Sequence, residues 1–319
     1  MLIALQILGG LAMLVAGGEV VVKGAVALAR RMNISTVVIG LTIVAYGTSA
    51  PEMMISIQAS LQNHPDIALG NVIGSNIANI LLVVGLTALL WPIDTHQGLA
   101  RRDGTVMLAA ALILVVMSLN GDINRFNSLV LVLMATLYTL FTVYDAKHNE
   151  KDSELVEELK EEAKETPAMP LYLSLAMLAA GIALLAFGSD ILIKGAVALA
   201  LGFGLSEAVI GATIVAVGGS SPELITSLMA AIRKHADIGL ANIVGSNIFN
   251  IFAVVGAAGV AAPLAVSPQF LTFDLWLMLG VTLLFFGLML VRKKIGRVEG
   301  AVFTAGYASY IFWQYAYIT

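Results

Sequence analysis

Two glutamates occur inside apolar stretches of the chain, each directly after a proline. Glu52 ends the motif GTSAPE, and Glu223 ends the motif GGSSPE 171 positions later. A carboxylate in apolar surroundings needs a cation, a proton or a hydrogen-bond partner to offset the loss of water. Because a serine lies three positions before each glutamate, the pair also fits a capping box, in which it only caps a helix start. The motif therefore predicts either an ion site or a helix cap.

A second pair of motifs carries neutral oxygen atoms. GNVIGSNIAN covers residues 70–79, and ANIVGSNIFN covers residues 241–250. In a helix, Ser75, Asn76 and Asn79 lie on neighbouring faces because three and four positions separate them. We take Ser75, Asn79, Ser246 and Asn250 as the better site candidates. The remaining asparagines either join this site or hydrogen-bond one helix to another; they are Asn71, Asn76, Asn242 and Asn247.

All these candidate ligands bind through oxygen. The four motifs contain carboxylates, amides and hydroxyls but no histidine or cysteine. Hard oxygen ligands favour Ca²⁺, Na⁺ and similar ions over zinc or copper. The chain has no cysteine at all, which excludes disulfides and thiol chemistry.

The composition is that of an integral membrane protein. Of 319 residues, 59% are hydrophobic and 12% are charged, and the mean hydropathy is +0.92. Long continuous apolar segments that can cross a ~30 Å hydrocarbon core favour helices over barrel strands. We predict an all-α membrane protein with ten transmembrane helices near residues 2–29, 35–61, 66–91, 104–119, 127–144, 170–200, 206–232, 237–262, 271–291 and 298–317.

The two halves of the chain are copies of each other. KGAVALA occurs at residues 23–29 and again at 194–200, and GLTIVAYGTSAPE matches GATIVAVGGSSPE at nine of thirteen positions. Residues 1–144 would form a first five-helix repeat, residues 145–169 an acidic cytoplasmic linker, and residues 170–319 a second repeat. Because five is odd, the second repeat would enter the membrane from the opposite side, which makes the repeats inverted.

The distribution of basic residues agrees with this topology. Fourteen lysines and arginines fall in the predicted loops after spans 1, 3, 5, 7 and 9, whereas the opposite loops contain only Arg125. Since cytoplasmic loops collect basic residues, both termini should lie outside the cytoplasm. The linker carries nine acids and four lysines, and we interpret it as a solvated connection without an EF-hand calcium loop.

Proline positions predict where helices break. Pro51 lacks an N–H group, so span 2 should end near Gly47 and restart at Pro51, which leaves free carbonyls that can bind a cation. A carboxylate near mid-span costs at least ~2.5 kcal/mol, which favours an ion site over a simple cap. We expect broken helices in spans 2, 3, 7 and 8. Spans 1 and 6 are expected to form a moving gate, with Glu19/Lys23 and Asp190/Lys194 as shielding pairs of mainly structural role.

The paired motifs and the acidic linker make the chain resemble the sodium/calcium exchanger family of cation/calcium antiporters, as a prokaryotic member. The resemblance covers essentially the whole chain. It implies a ten-helix inverted-repeat fold with a central site for Na⁺ and Ca²⁺. The metal ligands that it implies here are Glu52, Glu223, Ala45, Thr48, Ser49, Ser75, Asn79, Ala216, Gly219, Ser220, Ser246 and Asn250, of which Ala45, Thr48, Ala216 and Gly219 would contribute carbonyl oxygens.

Two residues depart from the family pattern. Gly219 replaces the usual threonine, which leaves a carbonyl but no hydroxyl and predicts a weaker or differently hydrated sodium site. Asn250 stands where potassium-dependent relatives have aspartate, which argues against K⁺ co-transport.

We expect a secondary antiporter that exchanges Na⁺ for Ca²⁺ by alternating access, and not an enzyme. A Ca²⁺/H⁺ antiporter and a cation channel are the alternatives. The expected partners are Ca²⁺, Na⁺ and the lipid bilayer, with no cofactor, no nucleic acid and no obligate protein partner. Since no targeting sequence is recognisable, we expect a prokaryotic cytoplasmic (inner) membrane.

Overall fold

The structure, a computed structural model, describes residues 2–32, 34–95, 97–148, 169–202 and 216–318. Most of the predicted linker and the first part of span 7 lie outside the described residues. The helices are, in chain order, α1 (Leu2–Met32), α2 (Thr36–Thr48), α3 (Ala50–Leu61), α4 (Pro65–Leu90), α5 (97–118), α6 (Arg125–His148), α7 (Leu171–Gly202), α8 (Ala216–Gly219), α9 (Ser221–Ile232), α10 (Ala236–Ala261), α11 (Phe270–Val291) and α12 (Arg297–Ile318).

The outer helices carry their apolar side chains on the outside. Leu8, Phe126 and Val291 are 66%, 73% and 82% exposed. Within the described ranges, six helices are long and apolar enough to cross a membrane, or seven if α2 and α3 form one span. Since lipid, unlike water, accommodates such surfaces, the helical prediction and the membrane prediction are both confirmed.

The centre of the molecule is formed by α4 and α10, the two helices that carry the serine and asparagine motifs. In their most apolar windows, 83% and 89% of residues are buried, against 28–39% for the windows of α1, α6, α7 and α11. The two helices begin with equivalent hairpins. Ser56 on α3 donates to the Ala68 carbonyl at 3.2 Å, and Ser227 on α9 donates to the Gly239 carbonyl at 3.3 Å, 171 positions later in both cases.

The hairpin turns also match. Asn63 and Lys234 are equivalent positions, and both adopt the left-handed conformation, with φ of 59° and 62°. Asparagine tolerates this conformation better than other non-glycine residues, so Lys234 adopts it less readily. The following residues, His64 and His235, donate backbone N–H groups to the carbonyls of Ala59 and Ala230. The duplicated sequence therefore yields duplicated local structure.

Four short strands join the ends of helices. Strand β1 (Ile93–Asp94) pairs antiparallel with β4 (Lys294–Ile295), and β2 (Asp122–Ile123) pairs antiparallel with β3 (Leu264–Ala265). A salt bridge of 3.0 Å between Asp94 and Lys294 reinforces the first pair. A shift of 171 positions relates β1 to β3 and, to within one residue, β2 to β4. The β1–β4 pair in one place is therefore the counterpart of the β3–β2 pair in the other. The hydropathy pattern did not indicate these strands.

A row of glycines lets α1 pack closely against α7. A Cβ atom at Gly10 would lie 2.7 Å from the Leu192 backbone nitrogen, and one at Gly17 would lie 2.9 Å from the Gly181 carbonyl oxygen. Such approach between helices is typical of small residues in membranes. The expected pairs Glu19–Lys23 and Asp190–Lys194 form on these helices, at 2.9 and 2.7 Å.

The predicted breaks are found in part. Helices α2 and α3 are separated at Ser49 and bent by 44°, and Ser220 alone separates α8 from α9. In contrast, α4 and α10 run without a break, so the prediction for spans 3 and 8 was wrong. Neither helix has an internal proline; each instead contains a π-helical stretch, Asn79–Val84 and Asn250–Val255.

The start of span 4 was also placed too late. Helix α5 begins at residue 97 rather than 104 because its charged first turns are neutralised within the structure. Arg102 contacts both Asp103, at 3.1 Å, and Asp145 on α6, while Tyr138 donates to Asp103 at 2.9 Å. Helix α6 likewise continues to His148, into the segment predicted as linker.

Candidate cation-binding site

The first turns of α3 and α9 bring the two glutamates into the centre of the molecule. Pro51 and Pro222 each occupy one of the first two positions of their helix, where a missing N–H group costs nothing. Glu52 and Glu223 follow directly and are only 2% and 1% exposed. The two carboxylates are thus removed from solvent at helix starts, where the helix dipole favours negative charge.

The serines of these motifs do not cap their helices. Ser49 and Ser220 precede α3 and α9 in N-cap position, but neither side chain makes a capping hydrogen bond. Instead, the Ser49 hydroxyl donates to Glu223 Oε1 at 3.3 Å, across the two halves of the chain. The capping-box interpretation is therefore wrong.

Both glutamates keep one carboxylate oxygen without a partner. Glu52 Oε2 and Glu223 Oε2 are buried and accept no hydrogen bond from any described group. No described lysine or arginine pairs with either residue. Since leaving a buried charge uncompensated costs several kcal/mol, these carboxylates call for a cation or a proton.

The central asparagines present two more buried oxygens. Asn79 and Asn250 are fully buried, each at the first residue of a π-helical stretch. Their amide nitrogens are occupied: Asn79 donates to Asn247 Oδ1 at 3.1 Å, and Asn250 donates to Ser75 Oγ at 3.0 Å. Asn79 Oδ1 and Asn250 Oδ1 have no partner among the described residues. Each of the four motifs thus contributes one unpartnered carboxylate or amide oxygen.

The Thr48 position shows how the two halves differ. The Thr48 hydroxyl lies 3.2 Å from Asn242 Oδ1 and 3.5 Å from Ser246 Oγ, which ties α2 to α10. The lack of a side chain at Gly245 allows α2 and α10 to approach this closely, because a Cβ atom there would lie 2.6 Å from the Leu41 carbonyl oxygen. Gly219, the counterpart of Thr48, has no side chain to make such contacts, and its Cβ position has nothing within 4 Å.

The other predicted site residues are placed as follows. Ser75 and Ser246 are buried on α4 and α10, and the buried Ser220 hydroxyl has no described partner. The Ala45 carbonyl already accepts from the Ser49 N–H at 3.1 Å and lies 3.4 Å from the Thr48 hydroxyl, so it is less free than predicted. Ala216 and Gly219 both lie in α8, just before Ser220.

Sequence reasoning missed four buried residues near the ends and centre of α5 and α11. Asp103 and Asp274 are equivalent positions, 0% and 1% exposed, and each accepts from a tyrosine hydroxyl, Tyr138 at 2.9 Å and Tyr310 at 3.1 Å. Met107 and Met278, also equivalent, lie 3.8 Å from the amide nitrogens of Asn247 and Asn76. Asp103 and Asp274 are 171 positions apart, as are Met107 and Met278. This spacing, which the site motifs share, could have identified them from the sequence.

The arrangement suits a desolvated cation. Two carboxylates supply negative charge, while amide and hydroxyl oxygens complete a shell without nitrogen or sulfur ligands. Such oxygen sites bind Ca²⁺ and other hard ions.

Comparisons with known proteins agree with this assessment. The profile of a family described as "Sodium/calcium exchanger protein" matches residues 2–144 and 173–316. The putative antiporter CaxA of Alkalimonas amylolytica is 38% identical over 95% of this chain and 96% of its own length. The inner membrane protein YrbG of Escherichia coli is 34% identical over 96% of this chain and 94% of its own length. The solved structure of the sodium/calcium exchanger from Methanococcus jannaschii superimposes with a TM-score of 0.82 at 32% identity and covers 97% of each chain.

Proposed function

Because the chain belongs to the sodium/calcium exchanger protein family, we propose that it exchanges Na⁺ for Ca²⁺ across the membrane at a site that both ions share. Members of this family are transmembrane transporters, so the chain is an antiporter and not an enzyme. The observation that carries the proposal is the pair of buried, unpartnered oxygens on Glu52 and Glu223. Bound cations would supply the positive charge that these carboxylates lack.

The proposed ligands come from all four motifs. Glu52 and Glu223 would bind both Ca²⁺ and Na⁺, and Asn79 and Asn250 would face the ion with their free Oδ1 atoms. The remaining proposed contributors are Ala45, Thr48, Ser49, Ser75, Ala216, Gly219, Ser220 and Ser246. Ca²⁺ and Na⁺ are the transported ions in this proposal.

Competition for these ligands would couple the two fluxes. Two nearby carboxylates repel each other, and one Ca²⁺ or several Na⁺ relieve that repulsion. Ca²⁺ and Na⁺ cannot occupy the site together, because they need the same oxygen ligands. The site would therefore cross the membrane loaded with one kind of ion and return with the other.

We propose that the fold consists of ten spans in two inverted repeats, residues 1–144 and 170–319, joined by a cytoplasmic linker over 145–169. The strand pairs support alternating sides: β1 and β4 follow spans 3 and 9, and β2 and β3 follow spans 4 and 8. Each ladder thus joins loops that this topology places on one side of the membrane. With the basic loops on the cytoplasmic side, this topology would have both termini outside the cytoplasm. The relative named an inner membrane protein supports a prokaryotic inner membrane.

Alternating access would use the difference between the repeats. Helix α1 packs onto α9, where a Cβ atom at Gly18 would lie 2.9 Å from Ile225. The equivalent surface on α3 is open, since Met54, the counterpart of Ile225, is 72% exposed. The two halves of a duplicated chain thus adopt different packing, as expected of a carrier that exchanges their roles.

The test is Ca²⁺ uptake by vesicles that contain the purified protein, with Na⁺, K⁺ and H⁺ gradients imposed separately. The proposal predicts uptake driven by an opposed Na⁺ gradient and unaffected by K⁺. Uptake that follows the H⁺ gradient and ignores Na⁺ would identify a Ca²⁺/H⁺ antiporter instead. Single-channel currents without a counter-ion would identify a channel.

A further inference from the structure

The orientation of two amides determines whether the central asparagines can bind a cation. A carboxamide has an acceptor end and a donor end, and only its oxygen can bind a positive ion. Asn79 and Asn250 must therefore direct Oδ1 towards the site and Nδ2 away from it. Because the two ends have nearly the same shape, packing alone does not select this orientation.

Hydrogen bonds from the opposite repeat select it. Asn79 Nδ2 donates to Asn247 Oδ1 at 3.1 Å, and Asn250 Nδ2 lies 3.5 Å from Asn76 Oδ1. Each central asparagine thus turns its donor end towards an asparagine of the other half. Asn79 Oδ1 and Asn250 Oδ1 remain without partners in the described part of the chain.

The outer asparagines are in turn oriented by methionines. Asn247 Nδ2 lies 3.8 Å from Met107 Sδ on α5, and Asn76 Nδ2 lies 3.8 Å from Met278 Sδ on α11. Both methionines are 1% exposed. A thioether sulfur accepts hydrogen bonds but cannot donate them, so only the donor end of each outer amide can face it.

We propose that Met107, Met278, Asn76 and Asn247 are positioning residues that fix the amide orientation of the central asparagines and so raise the affinity of the site for its cation. Each relay begins at an acceptor-only sulfur, passes through an outer amide and ends with a free oxygen. This inference rests on the proposed cation site at Glu52 and Glu223, but it does not depend on which ion drives exchange.

Substitutions of methionine by leucine test the relay at its outer end. Met278→Leu and Met107→Leu nearly keep the side-chain volume and remove only the acceptor, so the variants should fold. Met289→Leu is the matched control, because Met289 lies on α11 with Met278, is also 1% exposed and, among the described residues, accepts no hydrogen bond from an asparagine amide. Asn247→Leu removes the relay residue itself.

The readout is equilibrium binding of radioactive Ca²⁺ to the detergent-purified protein, with the KM and maximal rate of vesicle uptake measured in parallel. We expect Asn247→Leu to raise the Ca²⁺ dissociation constant by about 10- to 100-fold, as outer-shell partners of metal ligands do. Each methionine variant should raise it less, by about tenfold at most, because a thioether is a weak acceptor. Vesicle KM should rise in parallel with a smaller change in maximal rate, and Met289→Leu should match the wild type.

The inference is overturned if Met107→Leu, Met278→Leu and Met289→Leu all bind Ca²⁺ like the wild type. It is also overturned if Met107→Leu and Met278→Leu lower the thermal stability of the protein but leave its Ca²⁺ affinity unchanged, since the methionines would then act only through packing. These results are distinct from a failure of the proposed exchange. A wild type that binds Ca²⁺ but transports it with H⁺ contradicts Na⁺ exchange and leaves the relay testable by binding.

Discussion

The Ser49 hydroxyl donates a hydrogen bond to Glu223 Oε1 across 3.3 Å, although the two residues are 174 positions apart. Ser49 precedes the glutamate of its own motif, yet its partner is the glutamate of the other motif. Neither repeat completes the cluster alone, because the Glu223 carboxylate and the amides of Asn79 and Asn250 all make hydrogen bonds with the opposite half. The duplicated motifs thus form one central cluster rather than two separate ones.

Neutralising a site glutamate should abolish ion-dependent stabilisation. In Glu52→Gln and Glu223→Gln the carboxylate charge is lost while its shape is kept, so the proteins should fold but no longer bind Ca²⁺. A ligand at 100 times its Kd stabilises a protein by about 2.7 kcal/mol, and this gain should vanish. Thermal unfolding with and without Ca²⁺ measures it. Glu299→Gln is the control, because Glu299 pairs with Arg292 outside the cluster and its variant should keep the full Ca²⁺ response.

Adding a side chain at Gly219 should strengthen sodium dependence. Its Cβ position has nothing within 4 Å, so Gly219→Thr fits and restores the hydroxyl that Thr48 supplies in the other half. We expect a lower half-saturating Na⁺ concentration in vesicle exchange. At the neighbouring position a Cβ atom would lie 2.3 Å from Ile193, so Gly218→Ala should instead lower both the thermal midpoint and activity. Equal Na⁺ dependence of Gly219→Thr and the wild type would contradict the role assigned to this position.

The contact between α1 and α7 should be sensitive to one glycine and not to its neighbour. Gly10→Ala places a Cβ atom 2.7 Å from the Leu192 nitrogen, whereas Gly9 has nothing within 4 Å. Overpacking of this kind typically costs about 1–3 kcal/mol. Gly9→Ala should be neutral or slightly stabilising, because alanine is the better helix former. Thermal unfolding midpoints of Gly10→Ala and Gly9→Ala measure this difference. Equal midpoints would show that α1 and α7 can move apart to accommodate the added methyl group without a loss of stability.

The Glu19–Arg233 ion pair should stabilise the packing of α1 on α9. Arg233 donates through Nε at 2.7 Å and through a second nitrogen to the same carboxylate, and Glu19 is only 18% exposed. A double-mutant cycle with Glu19→Gln and Arg233→Gln should give a coupling of about 1 kcal/mol in unfolding free energy. The exposed Asp190–Lys194 pair is the matched comparison and should give at most about 0.5 kcal/mol. Equal coupling energies for the two pairs would show that the Glu19–Arg233 pair stabilises the protein no more than an exposed ion pair does.

The sequence predicted the helices and the site candidates because both leave local signals. Hydropathy indicates the helices, and the duplicated motifs identify residues such as Glu52 and Asn250. Contacts between the halves carry no such signal: nothing in the spacing indicated that Ser49 would turn to Glu223 rather than cap its own helix. The continuous course of α4 was not predicted either. Asparagine places a polar side chain in an apolar helix, but it keeps its backbone N–H group and so does not interrupt the helical hydrogen bonds.

Buried carboxylates were missed where hydrogen-bond partners distant in sequence help to hold them. Asp103 read as part of a loop, because its partner Tyr138 lies one helix further along the chain. The methionines of the amide relay looked like ordinary core residues for the same reason. Tertiary contact, and not residue type, gives these positions their roles.

Na⁺ and Ca²⁺ should compete for one site formed by Glu52 and Glu223. Equilibrium Ca²⁺ binding to the purified protein, at increasing Na⁺ concentration and constant ionic strength, measures this competition. We expect Na⁺ to raise the apparent Ca²⁺ dissociation constant without changing the occupancy reached at saturating Ca²⁺. Ca²⁺ binding that stays unchanged at saturating Na⁺ would contradict it.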